Sequence, residues 1–156
     1  HQLHRRQRQM CIRDRVLSPG PGAPKDYPLT SKIYKNFKGK KKIIGICLGY
    51  QQILFNENGK IIQQKKIFHG YQSKVKVTNK SKIFKKNRIF NVGRYHSLKL
   101  SEPFFSKNLS ITMRCSKTNI PMAFEDTKNK IFGFQFHPES FLTENGDFII
   151  KKILSN

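Results

Sequence analysis

Cys47 stands in the run Gly45-Ile46-Cys47-Leu48-Gly49, with apolar residues ahead of it and a helical pattern behind. A Gly-x-nucleophile-x-Gly turn between a strand and a helix holds a reactive side chain in a strained elbow, and side chains at its two glycine positions would collide with neighbouring backbone. The elbow puts the thiol at a helix N-terminus, where the dipole and free N–H groups are expected to lower its pKa and favour the thiolate. The bland alternative is a buried structural cysteine. A second group lies in Phe132-Gly133-Phe134-Gln135-Phe136-His137-Pro138-Glu139-Ser140. His137 and Glu139 are two apart and share a face if the backbone is extended, with Pro138 stiffening the link. Glu139 can then fix the tautomer of His137 and leave its other ring nitrogen for Cys47, completing a nucleophile, a base and an orienting carboxylate. Alone, His-Pro-Glu also reads as a surface histidine and a solvated carboxylate. The third group is the loop Ser18-Pro19-Gly20-Pro21-Gly22-Ala23-Pro24, whose backbone N–H groups can line an oxyanion hole. It fits a phosphate loop poorly, having neither Gly-x-Gly-x-x-Gly nor a Lys-Ser/Thr after its glycines.

These groups need a scaffold, and the surrounding pattern describes one. Val16-Leu17 can end a buried strand. Leu29, Ile33 and Phe37 recur every fourth residue, predicting a one-faced helix that Gly39 would stop. Ile43 and Ile44 predict a short strand, and Gln51 to Phe55 a second helix ended by Asn58-Gly59. Strand, loop, helix, strand, turn, helix is the rhythm of a parallel sheet with crossover helices. The second half changes style. Lys74 to Thr78 alternates like a half-exposed strand, and further strands are expected at Phe90 to Gly93, Ser110 to Arg114, Pro121 to Phe124 and Ile131 to Phe136. Asn79-Lys80-Ser81 and Lys128-Asn129-Lys130 supply turns, and Phe148, Ile149, Ile150, Ile153 and Leu154 form a closing helical stripe.

The 156 residues suffice for one domain with a sizeable core. No apolar run approaches the length that crosses a bilayer, so a soluble protein is expected. The three cysteines, Cys11, Cys47 and Cys115, have no short spacing, and read neither as a disulfide framework nor as a metal site; a reducing, cytoplasmic setting follows. A net charge of +22 suggests nucleic acid when taken alone. The lysines are nevertheless scattered between apolar residues, as on a solvated face, and no aromatic-basic RNA motif appears, so a nucleic-acid partner is not expected. Residues 1–15 differ from the rest: arginine-rich, without either hydrophobic period and without the apolar core of a signal peptide. They are expected to be a non-native or disordered basic segment ahead of a domain over 16–156.

Taken together, L-S-P-G-P-G-A-P, G-I-C-L-G-Y-Q, G-R-Y-H-S-L and G-F-Q-F-H-P-E-S, with the His69-Gly70 pair, resemble the class I, triad-type glutamine amidotransferases from Val16 to Asn156. The blocks are similar to those of the small subunits of anthranilate synthase and of aminodeoxychorismate synthase, with the lean toward anthranilate and tryptophan biosynthesis. The resemblance implies an α/β fold: an open, mostly parallel sheet with flanking helices, flavodoxin-like. It implies Cys47 as nucleophile, His137 as acid and base, and Glu139 as its orienting partner. The Gly20-Pro21-Gly22 loop and Leu48 would hold the oxyanion through backbone N–H groups. Gln51 and the Ser97-Leu98 backbone would bind the α-amino and carboxylate groups of glutamine. Ammonia would pass to a chorismate-binding synthase subunit; no metal or organic cofactor is expected for the glutaminase half-reaction, with magnesium on the partner. The family often has His where Tyr50 stands, and Tyr also occurs. It also carries a strand, a helix and a strand ahead of the Ser18 loop, which fifteen arginine-rich residues do not supply. The expectation is a domain incomplete at its N-terminus, lacking its first strands and hence unstable or poorly active; a cooperative melt with a normal denaturant slope would contradict it. Two further classes remain: a basic nucleic-acid-binding module, and an inactive relative that stabilises a partner.

Overall fold

The computed structural model describes residues 14–156, so the expectation for the arginine-rich segment falls almost wholly outside the described residues. Strand β1 spans Asp14–Leu17 and so starts two residues before Val16. A 3-10 turn at Pro24–Asp26 leads to helix α1, Pro28–Phe37, then strand β2, Lys42–Ile46, and helix α2, Leu48–Asn56. Strands β3, Ile61–Gln63, β4, Tyr71–Val77, β5, Ile89–Arg94, and β6, Leu98–Leu100, follow. The chain closes through β7, Ser110–Cys115, β8, Pro121–Asp126, β9, Ile131–Phe134, and helix α3, Gly146–Leu154.

Seven strands form one sheet in the order β1-β2-β9-β8-β7-β4-β5, and β3 pairs with β6 in a small ribbon. The α/β class with flanking helices is as expected; the strand directions need a correction. Only β1, β2 and β9 are mutually parallel, and the pairings from β9 through β8, β7 and β4 to β5 are antiparallel. The described sheet is therefore mixed rather than mostly parallel. The reason is connection length. A parallel return needs a dozen or more residues, whereas residues 116–120 and 127–130 are all that join β7 to β8 and β8 to β9. Asn119 and Lys130 take left-handed φ of 56° and 55° in those turns. The turn chemistry at Lys128-Asn129-Lys130 thus carried more information about direction than the strand pattern did.

Successive strand residues feed opposite cores. Ile43 and Ile131 pack under α1 and α2 with Leu17, Tyr50, Ile53, Leu54 and Phe124. Their neighbours Ile44 and Phe132 pack on the other face with Val75, Val92, Met113 and Phe134, beneath Ile149 and Ile153 of α3. A register irregularity between Ile111 and Met113 lets these two residues, which strict alternation would put on one face, serve different cores. The α1 stripe also differs from expectation. Leu29 is 68% exposed, and Tyr34 is the fully buried residue, with Ile33 and Phe37 beside it. Tyr34 donates its hydroxyl to Glu57 Oε1 at 2.7 Å, a polar anchor that a search for aliphatic periodicity overlooks. At the other end of the sheet, buried Lys42 donates to the carbonyls of Ile153 and Leu154, at 3.0 and 2.7 Å, satisfying free C-terminal groups of α3.

Candidate active site

Strand β2 is buried along its length and runs into Cys47, whose φ of 53° and ψ of −102° fall outside the conformations a side-chain-bearing residue normally adopts. The strain is held from several sides. Cys47 N–H donates to Phe134 O at 2.8 Å, tying the elbow to parallel β9. A methyl group at Gly45 would lie 2.6 Å from Gly49 O, and one at Gly49 would lie 2.0 Å from Leu17 O, so only glycine lets β2, α2 and β1 close this tightly. The sequence pattern and the packing agree here on the same physical reason.

The thiol lies in a polar cradle. Sγ is 3.9 Å from Tyr95 O and accepts from Gln135 Nε2 at 3.8 Å. Gln135 Oε1 in turn accepts from Gln51 Nε2 at 3.0 Å, and Gln51 Nε2 also approaches Leu98 O at 3.5 Å. Gln51, Gln135 and the Ser97-Leu98 segment are thus one hydrogen-bonded group on the Cys47 side of the sheet. Burial pushes the Cys47 thiol up to about 11, with the Glu139 carboxylate adding to the rise and the Leu48 N–H pulling it down. The expected lowering by the helix N-terminus is therefore corrected: the α2 amide acts in the predicted direction, but loss of hydration is the larger effect. Burial thus favours the protonated thiol.

The segment after β9 presents a candidate base. His137 N–H donates to Gly93 O at 3.0 Å, pinning the histidine to β5 in an isolated antiparallel bridge. Thr143 holds both sides of this bridge, donating its hydroxyl to His137 O at 2.5 Å and accepting from Gly93 N at 2.9 Å. His137 Nδ1 meets Glu139 Oε1 at 2.7 Å, the pairing expected from the two-residue spacing. Its other nitrogen, Nε2, is buried and has no hydrogen-bond partner among the described residues. The Tyr95 ring packs edge-on against His137, centroids 5.0 Å apart, while the Tyr95 carbonyl faces Cys47 Sγ. One residue therefore touches both the thiol and the imidazole, and Tyr95 OH is bonded to Ser140 Oγ at 3.1 Å.

The loop predicted to hold the oxyanion packs against Leu48, the residue after Cys47. Gly20 lies against Leu48, since a methyl group there would come 3.0 Å from Leu48 Cδ2. Gly22 takes φ 79°, and Pro21 O accepts from Tyr27 OH at 2.8 Å, so the loop is folded back onto the start of α1. Pro21 has no N–H, leaving Gly20, Gly22 and Leu48 as the possible donors of that group. Gly70 N–H donates to Arg94 O at 3.1 Å, and the His69 ring lies 6.5 Å from that of Tyr95, which places the His-Gly pair at the same edge. Sequence reasoning assigned no role to Gln135 or Tyr95. For Gln135 a signal existed: a glutamine between phenylalanines in a buried strand must find partners, and it is fully buried. For Tyr95, whose contact with sulfur is through its backbone carbonyl, no residue type could have announced it.

Residues 2–156 match the family model described as glutamine amidotransferase class-I. The chain is 41% identical over 142 residues to the bifunctional protein TrpGD of Thermotoga maritima, covering 90% of this chain and 24% of that protein. It is 36% identical over 143 residues to anthranilate synthase component 2 of Lactococcus lactis, covering 90% of this chain and 71% of that one. With anthranilate synthase component 2 of Helicobacter pylori the identity is 39% over 137 residues, covering 87% and 68%. The chain thus spans about a quarter of the first relative and about seven tenths of the others. Among solved structures, a GMP synthase component from Thermoplasma acidophilum shares the fold with a TM-score of 0.78 at 21% identity, covering 94% of this chain and 73% of that one. A glutamine amidotransferase from Thermotoga maritima superposes with a TM-score of 0.63 at 21% identity, covering 81% and 56%.

Proposed function

The chain belongs to the class I glutamine amidotransferase family, and from that premise we propose that it is the glutaminase subunit of an anthranilate synthase, hydrolysing glutamine through Cys47, His137 and Glu139 and delivering ammonia to a chorismate-using synthase subunit. One observation carries the catalytic reading. A cysteine in a positive-φ elbow and a histidine with a carboxylate on Nδ1 and a free, buried Nε2 both contact a single residue, Tyr95. The pathway reading rests on the relatives named anthranilate synthase component 2.

In this reading His137 Nε2 takes the thiol proton as Cys47 Sγ attacks the side-chain amide carbon of glutamine. The carbonyl oxygen becomes an oxyanion and is met by backbone N–H groups of Leu48 and of Gly20 and Gly22. His137 returns the proton to the departing nitrogen, ammonia leaves, and a glutamyl thioester remains. His137 then removes a proton from water, which attacks the thioester, releasing glutamate and restoring the thiol. Glu139 keeps the proton on Nδ1 throughout and stabilises the imidazolium. Gln51 and the Ser97-Leu98 backbone hold the α-amino and carboxylate groups of the substrate. The chemistry uses no metal or organic cofactor on this chain, and magnesium belongs to the synthase partner. The setting is cytoplasmic, where thiols stay reduced.

Covalent labelling with a glutamine analogue bearing an electrophilic γ-carbon, read by peptide mass spectrometry, tests the catalytic part. The expected result is modification at Cys47, suppressed by free glutamine. Labelling spread over Cys47 and Cys115 and indifferent to glutamine would sink the proposal. Co-purification with a chorismate-using subunit, and glutamine-dependent anthranilate formation by the pair, tests the pathway part; formation of aminodeoxychorismate instead would redirect it to folate biosynthesis.

A further inference from the structure

Arg94 is fully buried at the end of β5, next in the chain to Tyr95. Its guanidinium lies 3.5 Å above the Phe68 ring, donates Nε–H to His96 Nε2 at 3.0 Å and points Nη1 at Cys115 Sγ, 3.6 Å away. Nη2 has no hydrogen-bond partner, and no carboxylate pairs with Arg94 among the described residues. His96 supplies no negative charge; burial, and then Arg94 itself, hold it down to about 4, so it stays a neutral acceptor. A buried cation without a counter-ion is costly, and proteins normally pair such a group.

Arg94 also lines a cavity of about 440 Å³, within the range of small-molecule sites. Phe68 and Tyr71 give this cavity aromatic walls, Cys115 shares it, and Lys74 and Lys117 stand exposed at its edge. Lys66 lies over both rings, 5.5 Å from the Phe68 centroid and 4.7 Å from that of Tyr71, which adds a third lysine. Positive charge therefore comes from one buried fork and from lysines on the rim, and the wall between them combines the two aromatic rings with the polar residues Gln72, Ser73, Ser116 and Thr118.

We propose that this cavity binds a small organic carboxylate, its anionic end drawn to Arg94 and the lysine rim and its apolar or aromatic body against Phe68 and Tyr71. The site is separate from the glutamine site but shares its frame. Arg94 bonds His96, and His96 Nδ1 meets Leu98 O at 2.8 Å, the carbonyl that Gln51 also approaches. An anion here would offset the uncompensated charge of the guanidinium behind the cavity wall and steady the strand that leads to Ser97 and Leu98. The proposal does not depend on the glutaminase reading, because it rests on Arg94 and the cavity alone.

The test is calorimetric titration of the whole chain with benzoate, at low salt, beside benzyl alcohol and inorganic sulfate. Benzoate is expected to bind saturably at one site, with benzyl alcohol giving no saturable heat and sulfate binding more weakly. Lys74→Glu with Lys117→Glu, two exposed positions whose change leaves the fold intact, should weaken benzoate on the order of tenfold through the reversed local charge. Bound benzoate should also slow alkylation of Cys115, read by peptide mass spectrometry. Absence of saturable binding, or benzoate affinity unchanged in the double variant, would overturn the site. Equal binding of benzyl alcohol would overturn the role of Arg94, and sulfate binding as tightly as benzoate would overturn the organic-carboxylate assignment.

Discussion

At the scale of single residues, the site is governed by the balance between burial and hydrogen bonding at Cys47. With its thiol pushed up to about 11, alkylation of Cys47 by iodoacetamide in the absence of glutamine should climb about tenfold per pH unit across the neutral range. It should level off only near that value; a plateau below pH 8 would show that burial does not control the sulfur. The linkage has a definite sign. The folded pKa lies above the ordinary 9.0, so the neutral buried thiol contributes stability below about pH 9 and loses it as pH rises through about 11. Gln135 belongs to the same balance, since its amide donates to Sγ and accepts from Gln51. Gln135→Glu keeps the shape and removes the donor. A hydrogen bond to a developing thiolate is worth about 1.5–3 kcal/mol, so glutaminase kcat is expected to fall on the order of 10- to 100-fold. The alkylation profile of Cys47 should move to higher pH at the same time, a shift that a purely structural defect would not produce.

At the scale of elements, two close approaches position the chemistry. The β1–α2 contact closes over Gly49, where a methyl group would lie 2.0 Å from Leu17 O. Gly49→Ala must push β1 from the elbow and is expected to cost about 3 kcal/mol, seen as a lower denaturant midpoint with unchanged slope. The second is the start of α3. A methyl group at Gly146 would lie 1.9 Å from Pro138 O, so the helix presses directly on the His-Pro-Glu segment. Gly146→Ala should therefore lower glutamine turnover by displacing His137, while glutamine-protected labelling of Cys47 survives at reduced rate. Full activity in that variant would show that α3 does not set the position of the base.

At the scale of the whole molecule, the chain carries a net charge of +22, and its described residues form an α/β sheet that is parallel on one side and antiparallel on the other. Self-repulsion of this size opposes the compact state, and added salt screens it beyond a few ångströms. Raising sodium chloride from about 0.05 M to about 0.5 M should raise Tm by roughly 2–4 °C, about 1 kcal/mol for a domain of this size. A Tm that falls with salt would mean that attractive pairs outweigh the repulsion. Among the described residues no helix is long and apolar enough to cross a membrane. The exposed apolar residues Ile67, Tyr71 and Phe141 lie in the segments flanking His69 and Ser140.

The nucleophile elbow, the His-x-Glu spacing and the flanking strand and helix were legible in the sequence because each is local. Glycine at 45 and 49 answers to backbone closeness within one turn, and the two-residue spacing of His137 and Glu139 makes them neighbours in any extended segment. The first helix was legible in place but not in its anchor, since Tyr34 is held by a hydroxyl bond to Glu57 rather than by aliphatic periodicity. Strand direction was misjudged in the second half, because alternation encodes which face is buried and says nothing of polarity; the short turns decide that. Only the tertiary structure could bring Tyr95 into contact with both Cys47 and His137, place Gln135 on the sulfur and raise the thiol pKa. These depend on groups distant in sequence meeting in a buried place, where the cost of desolvation is a property of the assembled surroundings and not of any residue type.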